Sequence, residues 1–215
     1  MLGAPLAAAF PQYIDKQGLF ISEGKPFTSE NALEYIESLI VTSADKALSA
    51  GRSIPEGIGV VVKDGVVQDV EMNSYLSYVA ASTRLKTPPA FDAKDVFKPW
   101  PTPENMLFGE ADGSSVNFTP YVCSKTGMTI TEDLQQKVNL MNPMFHLGCN
   151  SDKAAYWYIR HGARDRDTGL SVPVMLSLKL QNLGFEVDFA LPWDRGHEGD
   201  YDLDELFDWI GKLSD

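Results

Sequence analysis

The sequence has 215 residues, of which 44% are hydrophobic and 22% charged, an ordinary composition for a globular protein with a buried core. Its formal net charge of −12 argues against a nucleic acid as partner, because phosphates would repel it. The chain lacks the roughly 18 consecutive apolar residues of a membrane span. Its two cysteines, Cys123 and Cys149, form no zinc motif, so we expect buried thiols, no metal and no cofactor.

The amino-terminal two thirds of the chain mix helical and strand patterns without a repeated β–α–β order. The apolar opening residues lack a basic segment and a cleavage site, so we expect a short helix, no signal peptide and a cytoplasmic location. Apolar residues at helical spacing predict helices over 28–50, capped by Thr28, and over 73–84. Two β-branched runs flank Asp64-Gly65, which predicts a hairpin between them.

An irregular segment comes first, and the pattern changes after Asn142-Pro143. Residues 91–139 are rich in proline and glycine, with one short helix expected over 131–138. The remaining pattern is strand, helix, strand and helix, over 154–160, 169–183, 185–191 and 202–213. This order favours parallel strands joined by a crossover helix. Since two strands do not form a stable open sheet, we expect the rest of the sheet to lie outside this sequence.

Both strands of this carboxy-terminal part are followed by residues that carry chemistry. The first ends at His161-Gly162, and Asp165 follows shortly after. The second ends near Pro192-Trp193, and His197 lies on the next loop. Catalytic groups of open α/β sheets gather at the carboxyl ends of parallel strands, so we expect Asp165 within about 2.6–3.2 Å of a ring nitrogen of His197. Such a carboxylate would fix the imidazole tautomer and stabilise its protonated form.

Each of these residues also has a structural interpretation. Asp165 could cap a turn, His197 could be an exposed loop histidine, and Asp167 could cap the helix that follows. Their joint occurrence after consecutive strands favours the catalytic interpretation, in the order acid then histidine that α/β-hydrolases use. His161 and His146 are expected to be structural.

The nucleophile of such an enzyme is missing from the sequence. Its serine would lie in a G-x-S-x-G elbow between a strand and a helix. The segments Gly113-Ser114-Ser115-Val116 and Ser124-Lys125-Thr126-Gly127 do not match this elbow. Because the serine precedes the acid and the histidine in this fold, we expect it before Met1, and we expect the chain alone to be inactive.

Several stretches resemble the bacterial tannases and related feruloyl-type esterases. The carboxy-terminal stretches are Arg160-His161-Gly162, Asp165-Arg166-Asp167-Thr168, Asp188-Phe189-Ala190-Leu191-Pro192-Trp193-Asp194, His197 and Gly199-Asp200-Tyr201-Asp202-Leu203. The stretches similar to the lid insertion of that family are Thr83-Arg84-Leu85-Lys86-Thr87-Pro88-Pro89-Ala90-Phe91-Asp92 and Pro103-Glu104-Asn105-Met106-Leu107-Phe108-Gly109. The resemblance covers nearly the whole chain.

The resemblance implies an α/β-hydrolase that cleaves esters of hydroxylated aromatic acids such as gallate. Asp165 and His197 would be the acid and the histidine of its triad. Lys86, Glu104 and Asp167 match the positions that hold the phenolic hydroxyls, which suits a lysine and two carboxylates as hydrogen-bond donor and acceptors. On their own, Lys86 and Glu104 would be taken for a solvated surface pair.

We therefore predict an α/β fold in two parts. Residues 1–140 would form a mixed α+β lid insertion, and residues 141–215 the carboxy-terminal β–α–β–α part of an α/β-hydrolase core. The expected function is that of a tannase-type serine carboxylesterase once its nucleophile is supplied. The alternatives are a general α/β-hydrolase, such as an acetyl esterase or a peptidase, and a non-catalytic half of a split protein. The expected partners are an aromatic ester and either an amino-terminal hydrolase segment or a second copy, with neither nucleic acid nor membrane.

Overall fold

A computed structural model of the protein describes residues 3–82, 91–93, 95, 101–149 and 152–214, and within them the fold mixes α and β structure. The helices are α1 (Gly3–Lys16), α2 (Ala32–Ser49), α3 (Met72–Ala81), α4 (Pro103–Leu107), α5 (Pro120–Thr126), α6 (Glu132–Leu140), α7 (Pro143–Leu147), α8 (Ser171–Asn182) and α9 (Leu203–Ser214). The strands are β1 (Leu19–Ser22), β2 (Lys25–Phe27), β3 (Val60–Lys63), β4 (Val66–Val70), β5 (Tyr156–Arg160) and β6 (Glu186–Ala190). No helix in these ranges is long and apolar enough to cross a membrane.

The chain divides into two compact units whose boundaries differ from the predicted one between residues 140 and 141. The first unit contains Met1–Phe10 and Leu85–Asp152, and the second contains Pro11–Arg84 and Lys153–Asp215. The reason is a shared hydrophobic core, in which Ile40 of α2 is buried together with Trp193 after β6. Burial of these apolar side chains joins the two segments of the second unit. A lid role for the insertion stays a prediction.

The second unit contains the parallel pairing that the sequence predicts. Strands β5 and β6 pair in parallel over their whole length, from Tyr156 opposite Glu186 to Arg160 opposite Ala190. Helix α8 is the crossover between them, and it buries Val174 and Leu178 in the second hydrophobic cluster of this unit. The parallel β–α–β order is thus confirmed as a two-stranded sheet in the described chain.

Arg160 connects this sheet to the helix that follows it. Its side chain is only 9% exposed and lies 2.9 Å from Asp188 and 3.6 Å from Asp202. The guanidinium also stacks over the ring of Tyr158, 3.6 Å from its centroid. On α9, the ring of Trp209 lies 5.4 Å from that of Tyr158. A nearly buried arginine that pairs with carboxylates in this way holds the start of α9 at the sheet.

Most of the other predicted elements are present, with different ends. The hairpin at Asp64-Gly65 is confirmed as β3 and β4. Helix α2 begins at Ala32, so Thr28 is not its cap: the Thr28 amide donates to the side chain of Asn31, which directly precedes the helix. The β1–β2 hairpin was not predicted, because its strands are too short for a periodic pattern. Cys123 is buried as expected, whereas Cys149 is exposed.

A buried carboxylate organises the first unit. Asp92 is 1% exposed and accepts five hydrogen bonds from residues that the structure describes. The donors are the side chains of Asn105 and Asn117, the amides of Phe118 and Thr119, and the Thr119 hydroxyl. Because Asn105 is also completely buried and bonds to Thr102 at the start of α4, this cluster fixes the short helices of the unit.

We expect the Asp92→Asn substitution to open the first unit. An amide accepts at one oxygen, and its own NH2 group would face donors, so the loss should be about 3 kcal/mol or more of local stability. Amide hydrogen exchange over residues 101–126, read by mass spectrometry, measures this opening. Asp112→Asn is the matched control, since Asp112 is exposed and accepts from the amide of nearby Ser114. Equal exchange protection in both variants would contradict this role of Asp92.

Candidate functional site

The site forms where β5 and β6 end, because the pairing between them continues into the loops that follow. The amide of His161 donates to the carbonyl of Ala190 at 3.3 Å, and that of Ala163 donates to Pro192 at 3.0 Å. One residue further, the amide of Arg164 donates to the carbonyl of Arg195 at 2.9 Å. The two loops therefore run side by side as an extension of the sheet.

Gly162 permits this close approach of the two loops. A Cβ atom at this position would lie 2.3 Å from the carbonyl oxygen of Arg195 and 2.4 Å from that of Gly196. These distances are far below van der Waals contact, and the atoms that would have to move are backbone atoms. Any side chain at 162 would separate the loops that carry Asp165 and His197.

Asp165 is held by its own loop. Its side chain is 5% exposed, and Oδ1 accepts from the amides of Asp167 at 2.8 Å and Thr168 at 3.2 Å. Burial alone would raise the pKa of this carboxyl, but the hydrogen bonds from His197 and from the two amides outweigh it and lower the pKa. Asp165 is therefore a fixed carboxylate at neutral pH.

His197 meets the other oxygen of this carboxylate. Its Nδ1 lies 2.9 Å from Asp165 Oδ2, within the range predicted from the sequence. The imidazole side chain is 64% exposed, so its ring faces solvent. In the tautomer with the proton on Nδ1, the carboxylate accepts this proton and leaves Nε2 as a base towards the open side. The geometry can thus perform general acid–base chemistry on a group brought to Nε2.

A second histidine lies against the same carboxylate. His161 Nε2 is 3.6 Å from Asp165 Oδ2, and the residue is 8% exposed. Its burial lowers the pKa, an effect that the negative charge of Asp165 only partly offsets. His161 is therefore neutral at physiological pH and borders the buried side of Asp165, in keeping with the structural role expected for it.

The other predicted site residues are distributed over both units. Asp167 is exposed on the Asp165 loop. Glu104 lies half-buried on α4 in the first unit, next to Asn105 of the buried carboxylate cluster. Lys86 falls in 83–90, outside the described residues, as does the segment 96–100 of the predicted lid. The convergence of Lys86, Glu104 and Asp167 on one pocket therefore stays a prediction.

The residue types at the site also allow a metal ion. Ligand atoms of Asp165, Asp167 and His197 all lie within 4.8 Å of one another. Carboxylate and imidazole are ligands that divalent transition metals accept. In this arrangement, however, the Nδ1 of His197 already contacts Asp165, which is the geometry of an oriented base.

Three further residues border the site and were not predicted from the sequence. Tyr78 on α3 donates to Asp194 on the His197 loop at 2.6 Å, and Arg164 lies 3.2 Å from the same carboxylate. Their separation in sequence hides these contacts from any local pattern. One signal was available: the tyrosines at 75 and 78 share a helix face, which is unusual for a solvated helix.

Comparisons with known proteins find matches among solved structures. No protein-family model and no curated protein sequence matches the chain. Among solved structures, the tannin acyl hydrolase from Lactobacillus plantarum is 36% identical, with a TM-score of 0.87 over 99% of this chain and 46% of that one. A tannin acyl hydrolase in complex with ethyl gallate has the same identity, TM-score and coverage.

A relative from a second organism agrees with these. The Fusobacterium nucleatum tannase is 33% identical, with a TM-score of 0.83 over 100% of this chain and 46% of that one. The chain thus spans less than half the length of the solved structures it matches. With sequence identity and fold similarity along its whole length, the protein is a partial tannase-like chain.

Proposed function

We propose that this chain supplies the acid and the histidine of a serine-type ester hydrolase. The observation that carries the proposal is the 2.9 Å contact between Asp165 Oδ2 and His197 Nδ1, on loops that extend two adjacent parallel strands. In this role His197 takes the proton of an attacking serine hydroxyl and returns it to the leaving alcohol. Asp165 keeps the proton on Nδ1 and stabilises the imidazolium that forms in between.

The serine of this triad belongs to a part of the protein that the present sequence does not contain. We found no G-x-S-x-G elbow in the 215 residues, and the solved tannases are more than twice as long as the stretch they share with this chain. The second edge of β5 would pair with the remaining strands of an α/β-hydrolase sheet. Exposed Tyr156 at the beginning of β5 suits such an extension, since an open apolar strand recruits a further chain.

The substrate that we propose is an ester of a hydroxylated aromatic acid. One of the similar solved structures is a tannin acyl hydrolase in complex with ethyl gallate, an ester of this class. Lys86, Glu104 and Asp167 would hold the ring hydroxyls of the acyl group, the lysine as donor and the carboxylates as acceptors. A pocket of this kind rejects acyl groups that lack the hydroxyls, because its buried polar groups would then stay unpaired.

The first experiment supplies the missing part of the enzyme. In a grafted enzyme, residues 1–215 replace the matched part of the Lactobacillus plantarum tannin acyl hydrolase, which the similar backbone permits. We expect the grafted enzyme to hydrolyse methyl gallate and the 215-residue chain alone to show no turnover above background. Asp165→Asn in the grafted enzyme should lower kcat by roughly 10⁴-fold, because the imidazole then adopts the wrong tautomer.

Asp204→Asn is the matched control for this substitution. Asp204 is exposed in the first turn of α9, and its change should leave kcat near that of the unsubstituted grafted enzyme. Gallate hydrolysis by the chain alone would show that the serine was overlooked. An Asp165→Asn enzyme with nearly full activity would remove Asp165 from the triad.

The second experiment tests recognition of the phenolic hydroxyls. Lys86→Ala and Glu104→Ala in the grafted enzyme should lower kcat/KM more for methyl gallate than for methyl benzoate. The activation free energy for methyl gallate should rise by about 1–3 kcal/mol more, which is the cost of unpaired buried polar groups. Asp165→Asn should instead slow both esters alike. Glu110→Ala, at an exposed glutamate of the same unit, is the control. Equal losses on both esters in the Lys86 and Glu104 variants would leave a general esterase.

A further inference from the structure

Helix α3 contacts both loops that carry the acid and the histidine. The hydroxyl of Tyr75 donates to the carbonyl of Ala163 at 2.7 Å, and its ring stacks on Trp193 with centroids 6.1 Å apart. The hydroxyl of Tyr78 donates to Asp194 Oδ1 at 2.6 Å. Helix α3 thereby holds the Asp165 loop at Ala163 and the His197 loop at Trp193 and Asp194.

Tyr78, Asp194 and Arg164 form a closed cluster. The Nε of Arg164 lies 3.2 Å from Asp194 Oδ1, and its Nη1 donates to the Tyr78 hydroxyl at 3.4 Å. All three side chains are partly buried, so water screens their charges less than at an exposed surface. Burial and the hydrogen bond to Asp194 also raise the pKa of Tyr78, which keeps its hydroxyl protonated as a donor.

The cluster lies close in sequence to both residues of the proposed triad. Arg164 directly precedes Asp165, and Asp194 comes three residues before His197. Asp194 has a φ of +55°, in the left-handed region where the chain turns sharply. Aspartate and asparagine tolerate this region better than most residues.

His197 needs a support of this kind. With 64% of its side chain exposed, packing contributes little to the position of the ring. With a single hydrogen bond to Asp165, the imidazole ring can separate from the carboxylate whenever the His197 loop moves. The rigidity must therefore come from the backbone of the loop, and its described contacts to α3 are those through Trp193 and Asp194.

We propose that Tyr78, Asp194 and Arg164 are positioning residues, which hold the His197 loop so that the imidazole stays bonded to Asp165. They act through the loop backbone. An effect of these residues on catalysis is expected only if the proposed esterase function is correct. Their effect on the Asp165–His197 hydrogen bond is expected whether or not it is correct.

The hydrogen bond can be followed in the 215-residue chain itself. The sequence has three histidines, so selective ¹⁵N-histidine labelling restricts the ring signals to three imidazoles, and His197→Gln identifies those from His197. We expect the Nδ1 proton of His197 to exchange with water about fivefold faster in Tyr78→Phe, which removes the hydrogen bond to Asp194, and in Asp194→Asn, which removes the charge that pairs with Arg164. The Asp194→Asn change keeps a residue that tolerates the left-handed conformation.

Tyr35→Phe is the matched control, because Tyr35 lies on α2 of the same unit, in contact with Phe27. In Tyr35→Phe, the Nδ1 proton of His197 should exchange at the same rate as in the unsubstituted chain. Unchanged exchange in both test variants would overturn the proposal. Loss of dispersed amide signals in both test variants would also overturn it, because the cluster would then serve general stability instead of ring position.

Kinetics in the grafted enzyme separate this inference from the proposed function. Tyr78→Phe should lower kcat for methyl gallate about fivefold with unchanged KM, since the acyl pocket keeps its own contacts. Faster Nδ1 exchange in a grafted enzyme without esterase activity would reject the function and keep the positioning role. Unchanged exchange in an active enzyme would reject the positioning role alone.

Discussion

The parallel pairing of β5 with β6 is the constraint on which the site depends. Parallel strands place their carboxyl ends at the same edge of a sheet, and here the ladder continues for several residues beyond the strands. The buried Asp165 and the exposed His197 meet because their loops stay paired along this extension. A glycine at 162 is required for the same reason, since any Cβ there would collide with the opposite backbone. A shift of the register would separate the acid from the histidine.

The protein uses its buried carboxylates as fixed acceptors in both units. Asp165 accepts from two amides and from His197, and Asp92 accepts from five donors. Each carboxylate thereby holds its loop segments in one arrangement, because leaving the buried donor groups without an acceptor would cost free energy. In the second unit this rigidity holds Asp165 against His197, and in the first it fixes the short helices among which Glu104 lies.

Local patterns predicted the parts of this structure that local forces determine. The hairpin at Asp64-Gly65 follows from its turn residues, and the β–α–β order follows from the alternation of apolar runs. The pairing of Asp165 with His197 was predictable because topology brings successive strand ends together. The contact of Tyr78 with Asp194 was not, since 116 residues separate them and packing decides which helix face meets the loop. The core that Ile40 shares with Trp193 was also not visible in local patterns, because more than a hundred residues of sequence lie between the two.

A double-mutant cycle on Asp165 and His197 tests the central claim most directly, which is that the two residues act as one catalytic unit. The kcat/KM for methyl gallate would be measured in the grafted enzyme with Asp165→Asn, with His197→Gln and with both. Residues of one triad are strongly non-additive, so we predict that the double variant is at most about tenfold slower than His197→Gln alone. If the two losses multiply instead, Asp165 and His197 act independently, and the acid–histidine pair is not the site of the reaction.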